Sequence, residues 1–130
     1  MQQIKFPSSN ISTSRLIYGC MRIAGDNSSH DKTKGKRAIK AAFDAGYTHF
    51  DHADIYGDGE CESLFGEILK ESPNFRDNII LTSKAGIRRE PQRYDFSADY
   101  LVSSVDGSLK RLNTDYLDMF LLHRPDYLFN

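Results

Sequence analysis

The sequence predicts a single α/β domain in which parallel strands alternate with helices. Four short apolar segments recur along the 130 residues at roughly the length of one strand–helix–strand unit. Apolar residues at helical spacing lie between these segments. The chain is long enough for one domain with a substantial core and too short for two. Crossovers between parallel strands are right-handed, so the loops that follow the strands should gather on one face.

The predicted strands are the first elements that the apolar pattern defines. They are Leu16–Met21, Tyr47–Asp51, Asn78–Ser83 and Tyr116–His123. An opening segment, QIKF, could add a small hairpin strand before the first of them. With the helices between them, the order of elements is β-α-β-α-β-α-β.

Three apolar stripes predict the helices. The first covers Ala38–Phe43, and Gly46 follows it as the expected C-terminal cap. The second stripe covers Leu64–Leu69. The third covers Leu101–Leu112, with Ser97 as the expected N-terminal cap.

The composition gives no electrostatic argument for a nucleic-acid or membrane partner. The chain is 39% hydrophobic and 27% charged, with a net charge of −1. The basic run Lys32–Arg37 is interpreted as the solvated first turn of a helix. Cys20 and Cys61 form no CxxC pair and no signal peptide precedes them, so we expect a reducing, cytoplasmic location. No apolar run approaches the roughly 18 residues of a membrane span.

Parallel strands joined by helices fit either an open doubly wound sheet or a (β/α)8 barrel. No GxGxxG turn follows the first strand, because YGCMRIAG has the wrong spacing. We therefore expect the N-terminal half of a (β/α)8 TIM-type barrel, with about four parallel strands and three helices. Its outer strands would have unpaired edges. We expect a folded chain to bury them by self-association or against a complementary half-barrel.

Four ionisable residues are predicted at the carboxyl ends of the strands, where both candidate folds carry out their chemistry. Asp51 closes the second strand, and Tyr56 lies in the loop just beyond it. Lys84 closes the third strand and His123 closes the fourth. The strand pattern therefore predicts that these four side chains lie close together.

This set of side chains is suited to donating a proton to a carbonyl oxygen. Free tyrosine, with a pKa of about 10, is a poor proton donor at neutral pH unless its surroundings are tuned. A neighbouring ammonium favours tyrosinate, and a carboxylate keeps that ammonium protonated and oriented. A neutral histidine can position the carbonyl by a hydrogen bond. Hydride addition would create the negative charge on oxygen, and a cofactor would have to supply the hydride.

Two other classes of function stay open at this stage. His49, Asp51, His52 and Asp54 could suggest a metal-dependent barrel hydrolase, although no second metal-ligand pair appears. On the alternative interpretation, His49 is a packed barrel residue and Asp54 belongs to a turn or helix start. The chain could also be a binding or regulatory module that has kept the frame of an enzyme without its turnover.

Three separated motifs resemble those of the aldo-keto reductases. GYTHFDHADIYG is similar to the first signature of the family, with its Asp and Tyr five positions apart. LTSKAG is similar to the lysine strand, and VDGSLKRLNTDYLDMFLLHRPD to the segment that leads to the family histidine. The FDHADIYG and HRPD forms most resemble a bacterial branch of NADP-linked reductases. The resemblance extends over nearly the whole chain.

The resemblance implies reversible, NADP-dependent reduction of an aldehyde or ketone. Catalytic roles would fall on four residues, with Tyr56 as proton donor, Lys84 favouring its ionisation, Asp51 holding Lys84, and His123 orienting the carbonyl. The nicotinamide would border Gly19, Cys20, Met21 and Asp51. Residues 1–130 would then form the first half of the barrel, and the phosphate-binding loops of such barrels would belong to the other half.

Two further groups receive secondary interpretations. Arg88, Arg89 and Arg93 are predicted to lie in a long solvated loop on the catalytic face, with an anionic substrate or cofactor phosphate as the alternative contact. Arg124 and Asp126 are expected to orient the turn around His123.

Overall fold

A computed structural model describes residues 1–124 and contains both strands and helices over that range. Its strands are β1 (Gln3–Lys5), β2 (Ser12–Ser14), β3 (Tyr18–Gly19), β4 (His49–Asp51), β5 (Ile80–Ala85), β6 (Ile87–Arg89), β7 (Gln92–Tyr94) and β8 (Met119–Leu122). Its helices are α1 (Ser29–Asp44), α2 (Glu60–Glu71), α3 (Pro73–Arg76) and α4 (Ala98–Leu112).

The central sheet has the strand order β3-β4-β5-β8, and all neighbouring strands are parallel. Helix α1 connects β3 to β4, the pair α2 and α3 connects β4 to β5, and α4 lies between β5 and β8. This confirms the predicted parallel sheet and its three crossovers, to which the structure adds the single turn α3. The predicted opening strand is also confirmed, because β1 pairs antiparallel with β2.

Aromatic and aliphatic side chains between the sheet and the helices form the core. Phe50 of β4 and Phe65 of α2 are fully buried, with ring centroids 5.3 Å apart. The predicted helical stripes supply the helix side of this layer, since Ile39, Leu64 and Leu112 are all buried. The third stripe is buried only toward its end, because Val102 near the start of α4 is 62% exposed.

Two predicted caps, Gly46 and Ser97, lie at the helix ends, and the structure adds a third, Ser28. Gly46 follows α1 with φ of +92°, a left-handed conformation that suits glycine. Ser28 caps the start of α1 by accepting from the Asp31 backbone N–H at 3.2 Å, so the run Lys32–Arg37 lies beyond the first turn and not within it. Ser97 occupies the N-cap of α4, but its hydroxyl accepts no capping hydrogen bond from the helix backbone and instead donates to the Asp95 carboxylate at 2.7 Å.

The prediction of a long loop containing three arginines is wrong. Residues Ile87–Arg89 and Gln92–Tyr94 form an antiparallel hairpin, whose three-residue strands are too short to show a period in the sequence. Each arginine has an acidic partner: Arg88 and Arg93 pair with Asp95, and Arg89 pairs with Asp58. The Arg89–Asp58 pair links the hairpin to the turn that precedes α2, and Arg89 also donates to Ile55 O at 2.8 Å. The two pairs with Asp95 join the hairpin to the residue that follows it.

Both cysteines, Cys20 and Cys61, are buried free thiols. Within residues 1–124, every helix is too short or too polar to cross a membrane. The cytoplasmic location stays a prediction.

The outer strands of the sheet expose apolar side chains. Leu121 and Leu122 of β8 are 41% and 51% exposed, and Leu16 and Ile17 just before β3 are 55% and 53% exposed. Among residues 1–124, each of these two strands pairs on one side only. Unpaired apolar edges favour strand addition, so we expect the 130-residue chain to self-associate or to bind a complementary half-barrel. Light scattering at micromolar concentration checks this, and a stable monomer would contradict it.

Candidate active site

The parallel register brings three of the predicted site residues to one edge of the sheet. Asp51 is the last residue of β4, and Lys84 is the second-last residue of β5. His123 follows β8 directly, and its backbone N–H donates to Ala85 O at 2.8 Å. Carboxyl ends of parallel strands share one face, so the predicted convergence follows from the topology.

Lys84 lies at the centre of this group, with its side chain only 14% exposed. Its ammonium Nζ is 2.8 and 2.7 Å from the two carboxylate oxygens of Asp51, and it donates to the His52 carbonyl at 2.5 Å. The hydroxyl of Tyr56 is 3.4 Å from the same Nζ. The Lys84 ammonium therefore lies between the Asp51 carboxylate and the Tyr56 hydroxyl. Because it is largely shielded from solvent, its Coulomb interactions with both groups are stronger than they would be in water.

Tyr56 starts a short 3-10 turn, Tyr56–Gly59, that leads directly into α2. Gly57 and Gly59 have φ of +58° and +90°, left-handed conformations that glycine adopts easily and that let the chain turn here. Asp58 between them is also left-handed, with φ of +55°. This tight turn directs the phenol back toward the strand ends.

His123 lies beside Tyr56, with ring centroids 5.9 Å apart and an angle of 85° between the planes. Burial lowers the pKa of His123, and the charges of Lys84 and Arg124 lower it further. The imidazole is therefore neutral at neutral pH and has one N–H to donate. Its Nδ1 is buried and has no hydrogen-bond partner within the described residues. Arg124 is the last described residue, and the role expected for Asp126 lies outside the described range.

The segment after β3 borders the same edge. Gly19 is in register with Asp51, and no heavy atom lies within 4 Å of the position that a Cβ on Gly19 would occupy. Met21 is half exposed. Cys20 is fully buried, and burial raises the pKa of its thiol well above the usual range. Cys20 can therefore contribute only through its backbone, whose N–H donates to Asp51 O at 2.9 Å.

The histidines of the alternative metal site point into the protein. His49 Nε2 is hydrogen-bonded to Thr82 Oγ1 at 2.7 Å, which confirms His49 as a packed residue. His52 is fully buried against Phe65, and burial lowers its pKa to about 3. Among residues 1–124, no group of three His, Cys, Asp or Glu side chains is arranged to hold a metal ion.

Asp54 has a perturbed carboxyl group close to the site. Its backbone N–H donates to Lys84 O at 3.0 Å, while its buried Oδ1 has no hydrogen-bond partner among residues 1–124. Burial and the nearby Glu62 carboxylate raise its pKa from 3.8 to about 6, although Arg111 and Arg89 act in the opposite direction. The charged form of Asp54 is therefore disfavoured in the folded protein.

We expect Asp54→Asn to stabilise the protein at alkaline pH and to have little effect in acid. The folded pKa is raised, so the folded state holds more protons than the unfolded one, and stability falls as the pH rises from 3.8 to about 6. At alkaline pH the ionised Asp54 lowers the free energy of unfolding by at most about 3 kcal/mol, and solvent screening reduces this loss. Thermal melts at about pH 4 and about pH 8 measure it, with the exposed Asp58→Asn as control. Equal melting shifts at both pH values would contradict this.

Sequence reasoning missed two charged residues behind the sheet. Glu62 is fully buried and accepts from Ser83 Oγ at 2.6 Å and from Arg111 Nε at 2.7 Å. A signal was available, since Glu62 lies three residues before Phe65 and seven before Leu69, on the buried face of α2. A charge within an apolar stripe indicates a buried partner.

Comparison with known families identifies the class of protein. The model of the Aldo/keto reductase family matches residues 15–130. The chain therefore belongs to the aldo/keto reductase family, a family of oxidoreductases.

Individual relatives give the same result. The uncharacterized oxidoreductase YcsN of Bacillus subtilis (strain 168) is 42% identical over all of this chain, which covers 45% of that protein. The 6-dehydroglucose reductase of Novosphingobium aromaticivorans is 40% identical over 92% of this chain and 40% of its own length.

The solved structures confirm the predicted fold class. The holo form of aldo-keto reductase AKR11C1 from Bacillus halodurans superposes with a TM-score of 0.82 at 35% identity. The match covers 95% of this chain and 40% of that chain. The chain thus spans less than half the length of these relatives, and its strands and helices form the N-terminal half of a (β/α)8 barrel.

Proposed function

We propose that this chain forms the catalytic N-terminal half of an NADP-dependent aldo-keto reductase that reduces an aldehyde or ketone to an alcohol. The main support is the position of Lys84 Nζ between the Asp51 carboxylate and the Tyr56 hydroxyl. On this proposal residues 1–130 are one structural unit, and the remaining strands of the barrel come from a complementary half.

The residues at the end of β3 fit a flat cofactor ring. Gly19 leaves open space where a side chain would project, and Met21 adds exposed apolar surface beside it. We assign nicotinamide binding to Gly19, Met21 and Asp51, with Cys20 acting through its backbone. A bound nicotinamide cofactor supplies the hydride, which no side chain can provide. The choice of NADP over NAD follows the family resemblance.

Tyr56 acts as the proton donor. When the carbonyl carbon is reduced, its oxygen gains negative charge and takes the proton from the Tyr56 hydroxyl. The ammonium of Lys84, 3.4 Å away, stabilises the phenolate that remains. Asp51 holds Lys84 in place with both carboxylate oxygens and balances its charge.

His123 orients the carbonyl. Its neutral imidazole has an N–H donor, and its ring lies edge-on to Tyr56 with centroids 5.9 Å apart. Two donors at this separation can point at one carbonyl oxygen. The oxygen is then held where Tyr56 can protonate it, which lowers the entropic cost of the reaction.

The direct test is consumption of NADPH by protein produced from the complete reading frame. We expect turnover with a reactive aldehyde such as 4-nitrobenzaldehyde, and weaker turnover with NADH. Folded protein that binds NADPH but consumes none with any aldehyde or ketone would contradict the proposal. That result would instead favour the catalytically silent binding module.

A further inference from the structure

We propose that Glu62 and Arg111 are positioning residues that hold Lys84 and Tyr56 in register from behind the sheet. This inference rests on the proposed function. Within the described residues neither side chain is hydrogen-bonded to Lys84 or Tyr56, and both act through the elements that carry the catalytic side chains.

Glu62 connects α2 to the strand that carries Lys84. Its side chain is fully buried, and Ser83 Oγ donates to its Oε1 at 2.6 Å. Ser83 directly precedes Lys84, and successive strand residues point to opposite faces of the sheet. The Glu62–Ser83 bond thus anchors β5 from the helix side, while Lys84 projects toward Asp51 and Tyr56 on the other side.

Arg111 connects α4 to the turn that carries Tyr56. Its Nε donates to Glu62 Oε2 at 2.7 Å, and its side chain lies directly against Gly59, the last residue of the turn. A Cβ on Gly59 would be 2.7 Å from Arg111 Cδ, so only glycine permits this approach. On α4, a Cβ on Gly107 would be 3.1 Å from Arg111 Nη1. The guanidinium is therefore confined between the turn and its own helix.

The segment that joins β4 to the turn is also bound to β5 by backbone hydrogen bonds. The Asp54 N–H donates to Lys84 O at 3.0 Å, and the His52 N–H donates to Thr82 O at 2.8 Å. Glu62 and Arg111 therefore connect the same two segments as these backbone bonds do, namely β5 and the segment that leads to Tyr56. Together they fix the 3.4 Å separation between Lys84 Nζ and Tyr56 Oη.

Stability alone is a weak reason for this ion pair, in which Glu62 is fully buried and the Arg111 side chain is 32% exposed. Burying a carboxylate costs solvation energy, and an apolar pair of similar volume often packs as well. A charged, hydrogen-bonded network does fix geometry more closely than apolar contacts do. That property is useful where a displacement of about 1 Å can reduce a rate about 100-fold.

The kinetic test compares Ser83→Ala, Glu62→Gln and a control in protein from the complete reading frame. We expect Ser83→Ala to lower kcat about tenfold and Glu62→Gln at least as much, with KM for NADPH nearly unchanged. The control is Lys36→Met, which removes the ion pairs that Lys36 of α1 makes with Glu67 and Glu71 on the exposed side of α2. It should leave kcat unchanged. Unchanged kcat in both network variants would overturn the inference.

A double variant shows whether the effect acts through Lys84. Adding Ser83→Ala to Lys84→Met should lower kcat no further, because the group that Ser83 positions is already absent. A general loss of structure would lower kcat by the same factor in both backgrounds, which would refute the positioning role. Arg111→Lys should recover more activity than Arg111→Met, since it keeps the charge beside Glu62.

Hydrogen–deuterium exchange tests the network without relying on turnover. Glu62→Gln should speed amide exchange at residues 54–60 and 80–85, while Lys36→Met should not. Unchanged exchange in Glu62→Gln would overturn the inference even if the enzyme is active. If the wild-type protein is inactive but Glu62→Gln still exchanges faster than it at these residues, the proposed reductase activity is refuted. The mechanical link between the two segments is then still supported.

Discussion

Tyr56→Phe should abolish NADPH-dependent carbonyl reduction and leave the fold intact. The substitution removes only the hydroxyl that faces Lys84 Nζ. The ring keeps its edge-on contact with His123 and its position 5.1 Å from the Lys84 ammonium. Loss of a positioned proton donor typically costs about 100- to 10,000-fold in rate. We therefore expect kcat to fall by at least about 100-fold.

The control separates chemistry from binding and folding. Tyr94→Phe removes a hydroxyl from the exposed hairpin strand β7 and should leave kcat unchanged. Tyr56→Phe should also bind NADPH as tightly as the parent protein, measured by quenching of its fluorescence. Near-normal turnover in Tyr56→Phe would show that another group donates the proton.

Arg76→Met should be the most destabilising of these substitutions. Arg76 is 7% exposed and uses its whole guanidinium at the end of the sheet opposite the active site. Its Nη2 donates to Asp118 Oδ2 at 2.7 Å and to Tyr116 O at 3.1 Å, and its Nη1 donates to Ile79 O at 3.2 Å. The guanidinium carbon also lies 3.7 Å from the centre of the Tyr116 ring.

Removing this guanidinium takes one hydrogen bond each from Asp118, Tyr116 O and Ile79 O. Asp118 would keep one bond, from the Leu81 N–H at 2.8 Å, and would lose its counter-charge. Breaking one side of a buried ion pair costs about 3–5 kcal/mol. We expect a fall of that size in the free energy of unfolding, measured by urea denaturation followed by circular dichroism.

Two comparison variants test the mechanism of this effect. Arg76→Lys keeps the charge but has no planar fork to reach several acceptors, so it should lose most of the same stability. Lys36→Met breaks ion pairs on the surface and should cost about 1 kcal/mol or less. If Arg76→Met and Lys36→Met lowered the free energy of unfolding equally, the interactions of Arg76 would contribute no more than a surface ion pair does.

Much of the fold and most of the candidate site could be predicted from the order of residues. Apolar periodicity located all four core strands and the three longer helices, because a strand or helix repeats its buried face at a fixed spacing. Parallel crossovers then placed Asp51, Lys84 and His123 on one edge. The caps were less certain: Ser97 lies at the predicted position, yet its hydroxyl binds Asp95, a partner that helix rules do not consider.

Local residue patterns are enough to predict the alternation of strands and helices and the edge of the sheet on which the ionisable residues meet. Tertiary structure alone decided which groups touch: that Lys84 binds both oxygens of Asp51, that Glu62 is buried between Ser83 and Arg111, and that Cys20 faces the core. The difference arises from the sequence separation of the residues involved. Periodicity depends on residues within a few positions of each other, whereas Arg111 and Glu62 are 49 residues apart and meet only when α4 packs on α2.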